Sequence, residues 1–157
     1  YLNNGSSGVG SYGKFAEFKA KIINNFLSEN EIHSAVEFGC GDGNQLSLLN
    51  YPNYIGIDVS KKAIEICRER FKNDYTKNFI FSKNNLGSVS EIDITCDLSL
   101  SLDVIFHLVE DKIFEKYMEK LFNVSEKYVI IYSSNEDNME KSSEHVKHRN
   151  FTNWIEE

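Results

Sequence analysis

Glycine recurs at 39, 41 and 43, with Glu37 two residues before the first of them and Asp58 nineteen residues after it. Glycines two apart let a backbone turn sharply through positive φ and bring its N–H groups against a ligand with no Cβ in the way. The dinucleotide fingerprint GxGxxG would put its third glycine at position 44, but that residue is Asn44 and the spacing here is GxGxG. A carboxylate at Glu37 would repel a pyrophosphate and suits a cationic amine, while Asp58 can accept hydrogen bonds from both hydroxyls of a ribose. A ligand carrying an adenosine ribose and an amino-acid-like cation therefore fits better than a nicotinamide dinucleotide. A second group is Asp103 and His107, four apart, which share a face if "DVIFHL" is helical and would pair a carboxylate with an imidazole able to take a proton. Each also has a plainer reading, Asp103 as a helix N-cap and His107 as a hydrogen-bonded core residue. A third group is "HVKHR", in which His145, His148 and Arg149 would clamp a phosphate-like or carboxylate group, or else form a solvated basic face near a helix end.

These residues need elements to hold them. Phe15, Phe18, Ile22 and Phe26 fall at helical spacing and predict an amphipathic helix over about 13–28 with that stripe in the core. "SAVEF" (34–38) reads as a buried strand, and the glycine stretch follows it directly. Strands at 54–59, 78–82, 97–102 and 127–134 alternate with a helix at 61–71 and helical stretches in "DVIFHLVE" and "KIFEKYMEKLF"; "FTNWIEE" reads as a final helix. Such alternation predicts a doubly wound α/β fold with a mostly parallel sheet covered on both faces. In such a sheet the ligand sits at the carboxyl ends of the strands where their order reverses, and the turn after the first strand is the usual place.

Composition narrows the partners. The 157 residues are 41% hydrophobic and 13% aromatic, ample for one packed core, and no repeat or linker divides them, so residues 1–157 read as one domain with a flexible segment at 1–12. Tyr12 in that segment could fold over a ligand as part of a lid, against the plainer reading of a loose tail. The net charge of −7 argues against a nucleic-acid backbone as partner and leaves a small molecule as the default. No apolar run is long enough to span a bilayer and no signal peptide is legible, so a cytoplasmic location is expected. Cys40, Cys67 and Cys96 form no CxxC and read as reduced core residues, with no metal set among them.

"VEFGCGDG" followed by "YIGIDVS" resembles motifs I and II of the class I S-adenosylmethionine-dependent methyltransferases. "DLSLSLDVIFHLVED", "KYVIIYSSN" and "HVKHRNFTNWI" are similar to a group of small bacterial methyltransferases of this class, some of which sit among enzymes that make or decorate surface glycans. The resemblance covers roughly residues 10 to 157. It implies a Rossmann-like fold and S-adenosylmethionine as cofactor, with Gly39, Gly41 and Gly43 around the methionine part, Glu37 near its amino group, and Cys40, Asn44 and Gln45 as further cofactor-binding candidates. Asp58 would then hold the ribose, with Val59 beside it as a further cofactor-binding candidate, and Ser101 and Leu102 would lie along the cofactor. Asp103 and His107 become the catalytic candidates, and Tyr12, His145, His148 and Arg149 the substrate-binding ones. The implied reaction is methyl transfer to an oxygen, with nitrogen as the lesser alternative, on a small anionic metabolite such as a surface-polysaccharide precursor or its phosphorylated modification. The work of such an enzyme is to align acceptor and methyl at about 3–3.5 Å, with no metal needed. The alternative is a non-catalytic S-adenosylmethionine-binding module or partner subunit, with a nicotinamide-dependent oxidoreductase behind it. Two departures stand out: "FSKNNLG" offers Ser82, Asn84 and Asn85 where many relatives place an acid for the adenine, and the antiparallel strand pair that usually ends the class is not legible, as in a truncated or reduced version of it.

Overall fold

The structure, a computed structural model, describes residues 8–83, 94–137 and 145–157. Helix α1 (Gly13–Glu29) leads into strand β1 (Ser34–Phe38), followed by β2 (Asn53–Asp58), α2 (Lys61–Arg70), β3 (Lys77–Phe81), β4 (Cys96–Leu102), α3 (Asp111–Asn123), β5 (Ser125–Tyr132) and α4 (Phe151–Glu156). The five strands form one sheet in the order β3-β2-β1-β4-β5, every neighbouring pair parallel. The expected doubly wound α/β fold is therefore the one observed. Strand order reverses between β1 and β4, which leaves a crevice beyond their carboxyl ends.

Burial explains which segments became strands. All seven residues of β4 are buried, as a central parallel strand requires, and their alternate side chains feed two cores. Leu98 and Leu100 join Ala20, Ile23, Tyr54 and Ile64 on one face. On the other, Val36, Phe38 and Ile57 meet Phe114, Tyr117, Met118 and Leu121 of α3. Helix α2 begins where the Ser60 side chain accepts from the Ala63 N–H, an ordinary hydroxyl N-cap. The three cysteines are free and buried, as expected. Among the described residues no helix is long and apolar enough to cross a membrane.

Three expectations need correction. The aromatic stripe of α1 is not its core face: Phe15, Phe18 and Ile22 are each more than half exposed, and the buried stripe is Ala16, Lys19, Ala20 and Ile23. Ala20 and Ile23 join the core with Leu98 and Leu100, and the bulky residues lie on the shoulder of the helix, where Phe18 meets Tyr132 and Phe26 meets Tyr128. "DVIFHL" is not an α-helix; only a short 3-10 turn, Ile105–His107, follows β4, because Asp103 takes a left-handed φ of 60° that helix propagation cannot pass. Strand β5 starts at Ser125, two residues before the expected position, and ends at Tyr132.

Candidate functional site

A cavity of about 620 Å³ opens at the β1/β4 crevice. Its floor is Phe38, Ile57 and Tyr117, one side is Gly39, Gly41, Asp58 and Val59, and the other is Leu102, Asp103, Val104, Phe106, His107 and Leu108. Gly8, Gly10 and Ser11 close it from the N-terminal segment.

The glycine turn is built for close approach. Gly39, Gly41 and Gly43 hold φ of 83°, 59° and 75°, values that cost other residues strain. A Cβ at Gly39 would lie 2.4 Å from Cγ2 of Val104, and one at Gly43 would lie 2.8 Å from Cε2 of Phe71. Asp58 braces the same turn: its Oδ2 accepts the Gly41 N–H at 2.9 Å and its Oδ1 the Ser60 N–H at 2.7 Å. Burial raises the pKa of this carboxyl, and the two amides oppose the shift. Beside it the buried Ser82 hydroxyl faces the cavity with no hydrogen-bond partner among the described residues. A bare backbone, a fixed carboxylate and a hydroxyl left unpartnered among the described residues together fit a ligand that carries hydroxyl groups. Asn84 and Asn85, the other adenine candidates, lie outside the described residues.

Of the remaining cofactor candidates, Glu37, Cys40, Asn44, Gln45 and Ser101 surround the cavity without lining it. Glu37 is 3% exposed and accepts the Tyr54 hydroxyl at 2.6 Å, one layer beneath the glycine turn. Burial pushes its carboxyl up to about 7, against the opposing pull of Tyr54 and Lys19. Cys40 is buried, and its thiol is pushed up by the hydrogen bond from Cys67 and by burial. The Asn44 Nδ2 donates to the Ser11 carbonyl at 2.7 Å and the Gln45 Nε2 to the Ala16 carbonyl at 3.1 Å, so both tie the turn to the N-terminal segment. Ser101 lies below the cavity, accepting the Tyr117 hydroxyl at 2.6 Å, while Leu102 and Val59 reach its wall. Tyr12 donates its hydroxyl to Asp42, which docks the N-terminal segment on the turn.

Of the catalytic candidates, Asp103 and His107 do share the cavity wall, although not as neighbours on a helix. Asp103 is paired with the buried Lys19, and His107 stands exposed at the rim with its ring 4.5 Å from that of Phe106.

The basic group behaves differently from its expected role. Arg149 is 8% exposed and spends its guanidinium on the carbonyls of Leu108 and Val109, on Asp111 and on the Phe114 ring. Lys147 pairs with Asp111 as well. The segment is thus a strut that carries the Ile105–His107 turn, helped by the Lys147 N–H donating to the Phe106 carbonyl. His148 contacts Ser134 at 2.7 Å and lies 6.2 Å from the Phe106 ring, and His145 is exposed; neither lines the cavity. Lys19, Asp42 and Tyr117 were not anticipated, because a lysine in an amphipathic helix reads as solvent-facing and a tyrosine in an apolar helix reads as core.

A family model described as a methyltransferase domain matches residues 30–156. A segment of the small RNA 2′-O-methyltransferase of Arabidopsis thaliana is 30% identical over 119 residues, 69% of this chain and 12% of that protein. A segment of the 1-deoxy-D-xylulose 5-phosphate reductoisomerase of Wigglesworthia glossinidia brevipalpis is 31% identical over 105 residues, 64% of this chain and 26% of that protein. The chain thus spans about a quarter or less of the length of these two curated relatives. Among solved structures, the N-methyltransferase NodS from Bradyrhizobium japonicum WM9, in complex with S-adenosyl-l-homocysteine, superposes with a TM-score of 0.71 at 17% identity, covering 87% of this chain and 70% of that one. At that identity the likeness speaks for the fold.

Proposed function

This chain belongs to the methyltransferase-domain family; on that premise we propose that it takes S-adenosylmethionine as its methyl donor and transfers the methyl group to an oxygen of a small-molecule acceptor. The observation that carries the reading is the Gly39–Gly41–Asp58 cradle lining one cavity with the rim residue His107 at the reversal of strand order. The bound donor supplies a methyl carbon already activated by its sulfonium. Gly39 and Gly41 offer it bare backbone, Asp58 offers acceptors for ribose hydroxyls, and Ser82 offers a hydroxyl within the same cavity. Leu102, Val104, Phe106 and Leu108 exclude water from the wall where an acceptor would lie. His107 is placed to accept the acceptor's proton at a ring nitrogen, whereas Asp103 is occupied by Lys19.

The finer expectation of an anionic acceptor linked to surface glycans loses its support in "HVKHR", since Lys147 and Arg149 are both paired with Asp111. The described lining carries no lysine or arginine, and a neutral hydroxyl compound is the acceptor favoured here. Relatives work at both atoms by name: one is a 2′-O-methyltransferase of small RNA, another an N-methyltransferase. A net charge of −7 weighs against RNA as the acceptor.

Calorimetric titration with S-adenosylmethionine and S-adenosylhomocysteine, with NAD as control, tests the premise. Micromolar binding of the first two with none of the third is expected. Asp58→Ala should weaken that binding by about 1–3 kcal/mol, the usual loss when hydrogen bonds to a charged group are removed; unchanged affinity would take Asp58 out of the site. A labelled-methyl screen over hydroxylated metabolites, amines and small RNAs then identifies the acceptor. Cofactor binding with no turnover across such a screen would favour a non-catalytic binding module.

A further inference from the structure

Lys19 belongs to the buried stripe of α1 and is 2% exposed. An unpaired ammonium there would cost several kcal/mol, so its partner is decisive. Its Nζ lies 2.5 Å from Oδ2 of Asp103 and 5.1 Å from the centre of the Tyr132 ring. Asp103 in turn holds φ 60°, a strained conformation for a non-glycine residue, with its N–H donating to the Tyr132 carbonyl at 2.8 Å. The same carboxylate fills the space above Gly10, where a Cβ would stand 2.4 Å from Oδ2. Gly8, Gly10 and Ser11 are the N-terminal wall of the cavity, pinned further by Ser11 to Asn44 and by Tyr12 to Asp42. One ammonium therefore fixes one carboxylate, and the carboxylate fixes how close residues 8–12 come to the glycine turn.

We propose that Lys19 is a positioning residue: through Asp103 it sets the N-terminal wall of the cavity, and so governs how long a bound nucleoside ligand is retained. This rests on the cofactor-binding reading above. A buried ion pair is a poor source of net stability compared with apolar packing of the same volume, and its use here is to select one geometry for Asp103 and for the segment resting on it. Because the pair is internal, Asp103 serves as wall and counter-ion, and the acceptor's proton is left to His107.

The test is the dissociation rate of S-adenosylhomocysteine from the full chain, measured by surface plasmon resonance at a temperature where circular dichroism shows each variant folded. Lys19→Met and Asp103→Asn should each raise the rate by about tenfold, and the double variant no more than either alone, as expected for two members of one interaction. Lys19→Arg should keep the rate within about threefold of wild type by preserving the charge pair. Gly10→Ala, whose Cβ would crowd the same carboxylate oxygen and part the segment from Asp103, should raise it too. A lowered melting temperature in Lys19→Met or Asp103→Asn with an unchanged dissociation rate overturns the proposal and leaves Lys19 a structural residue. If Lys19→Met does not fold, Asp103→Asn and Gly10→Ala decide in the same way. Failure of the wild-type chain to bind S-adenosylhomocysteine overturns the cofactor reading together with this one.

Discussion

Glu37 shows what a single side chain contributes here. It is fully buried beside Tyr54, and loss of hydration pushes its carboxyl from 4.5 up to about 7. The folded chain therefore keeps this proton over a range in which the unfolded chain has lost it. A carboxyl with a raised folded-state pKa adds stability below the unfolded value and withdraws it as pH rises through the folded one, so stability should fall between about pH 4.5 and 7. At about 1.36 kcal/mol per pH unit the fall amounts to roughly 3 kcal/mol. Urea denaturation of wild type and Glu37→Gln at pH 5, 6, 7 and 8 isolates the effect: the difference between the two curves should shift in favour of the variant as pH rises and level off above 7. Parallel curves would mean that Glu37 is solvated despite its position. The tight turn at 39, 41 and 43 was legible in the sequence because positive φ dictates glycine at fixed offsets. That Glu37 sits a layer below the cavity was not, since depth is set by Tyr54, a residue of the next strand over.

Helix α1 carries the clearest divergence between pattern and packing. Its existence and its span, Gly13–Glu29, follow from periodicity, yet the aromatic stripe lies one position away from the buried one. One residue is a rotation of about 100° around a helix, so the apolar pattern located the helix and misplaced its contact face. What decides the face is the Lys19–Asp103 pair, 84 residues apart in sequence, and the burial of the small residues Ala16 and Ala20 beside it. The same kind of long-range constraint broke "DVIFHL": the Asp103 N–H bonds to Tyr132 on β5, and a short 3-10 turn replaces the expected helix. The assignment of faces makes a direct prediction. Ala16→Leu, adding volume at a position with no exposure, should destabilise the fold by about 1–3 kcal/mol. Phe15→Ser, on the half-exposed shoulder, should stay within about 0.5 kcal/mol. Chemical denaturation of the two variants gives the answer, and the reverse ranking would restore the aromatic stripe to the core.

At the scale of the whole molecule, the sheet order places the cavity across the seam between β1-β2 and β4-β5, and its walls come from both halves and from the segment before α1. The alternation of strands and helices was enough to predict such a crevice, because parallel strands need crossovers and crossovers on both faces force the order to reverse somewhere. Which residues face it depended on the turns, and these were legible only where glycine marked them. A ligand in that position touches Gly39 and Asp58 on one half and Leu102 on the other, so its binding is coupled to the folding of the domain as a unit. Ligand at a hundred times its dissociation constant adds about 2.7 kcal/mol to the folded state. For a chain of 157 residues, at roughly 2–4 °C per kcal/mol, the melting temperature should rise by about 5–10 °C with saturating S-adenosylhomocysteine, and each further tenfold in ligand should add a smaller, constant step. NAD at the same concentrations should leave it unmoved, because the turn has Asn44 where a dinucleotide needs its third glycine. A rise that stops at stoichiometric ligand and then stays flat would signal a binding event outside this coupling, and equal shifts with NAD would undo the assignment of the glycine turn.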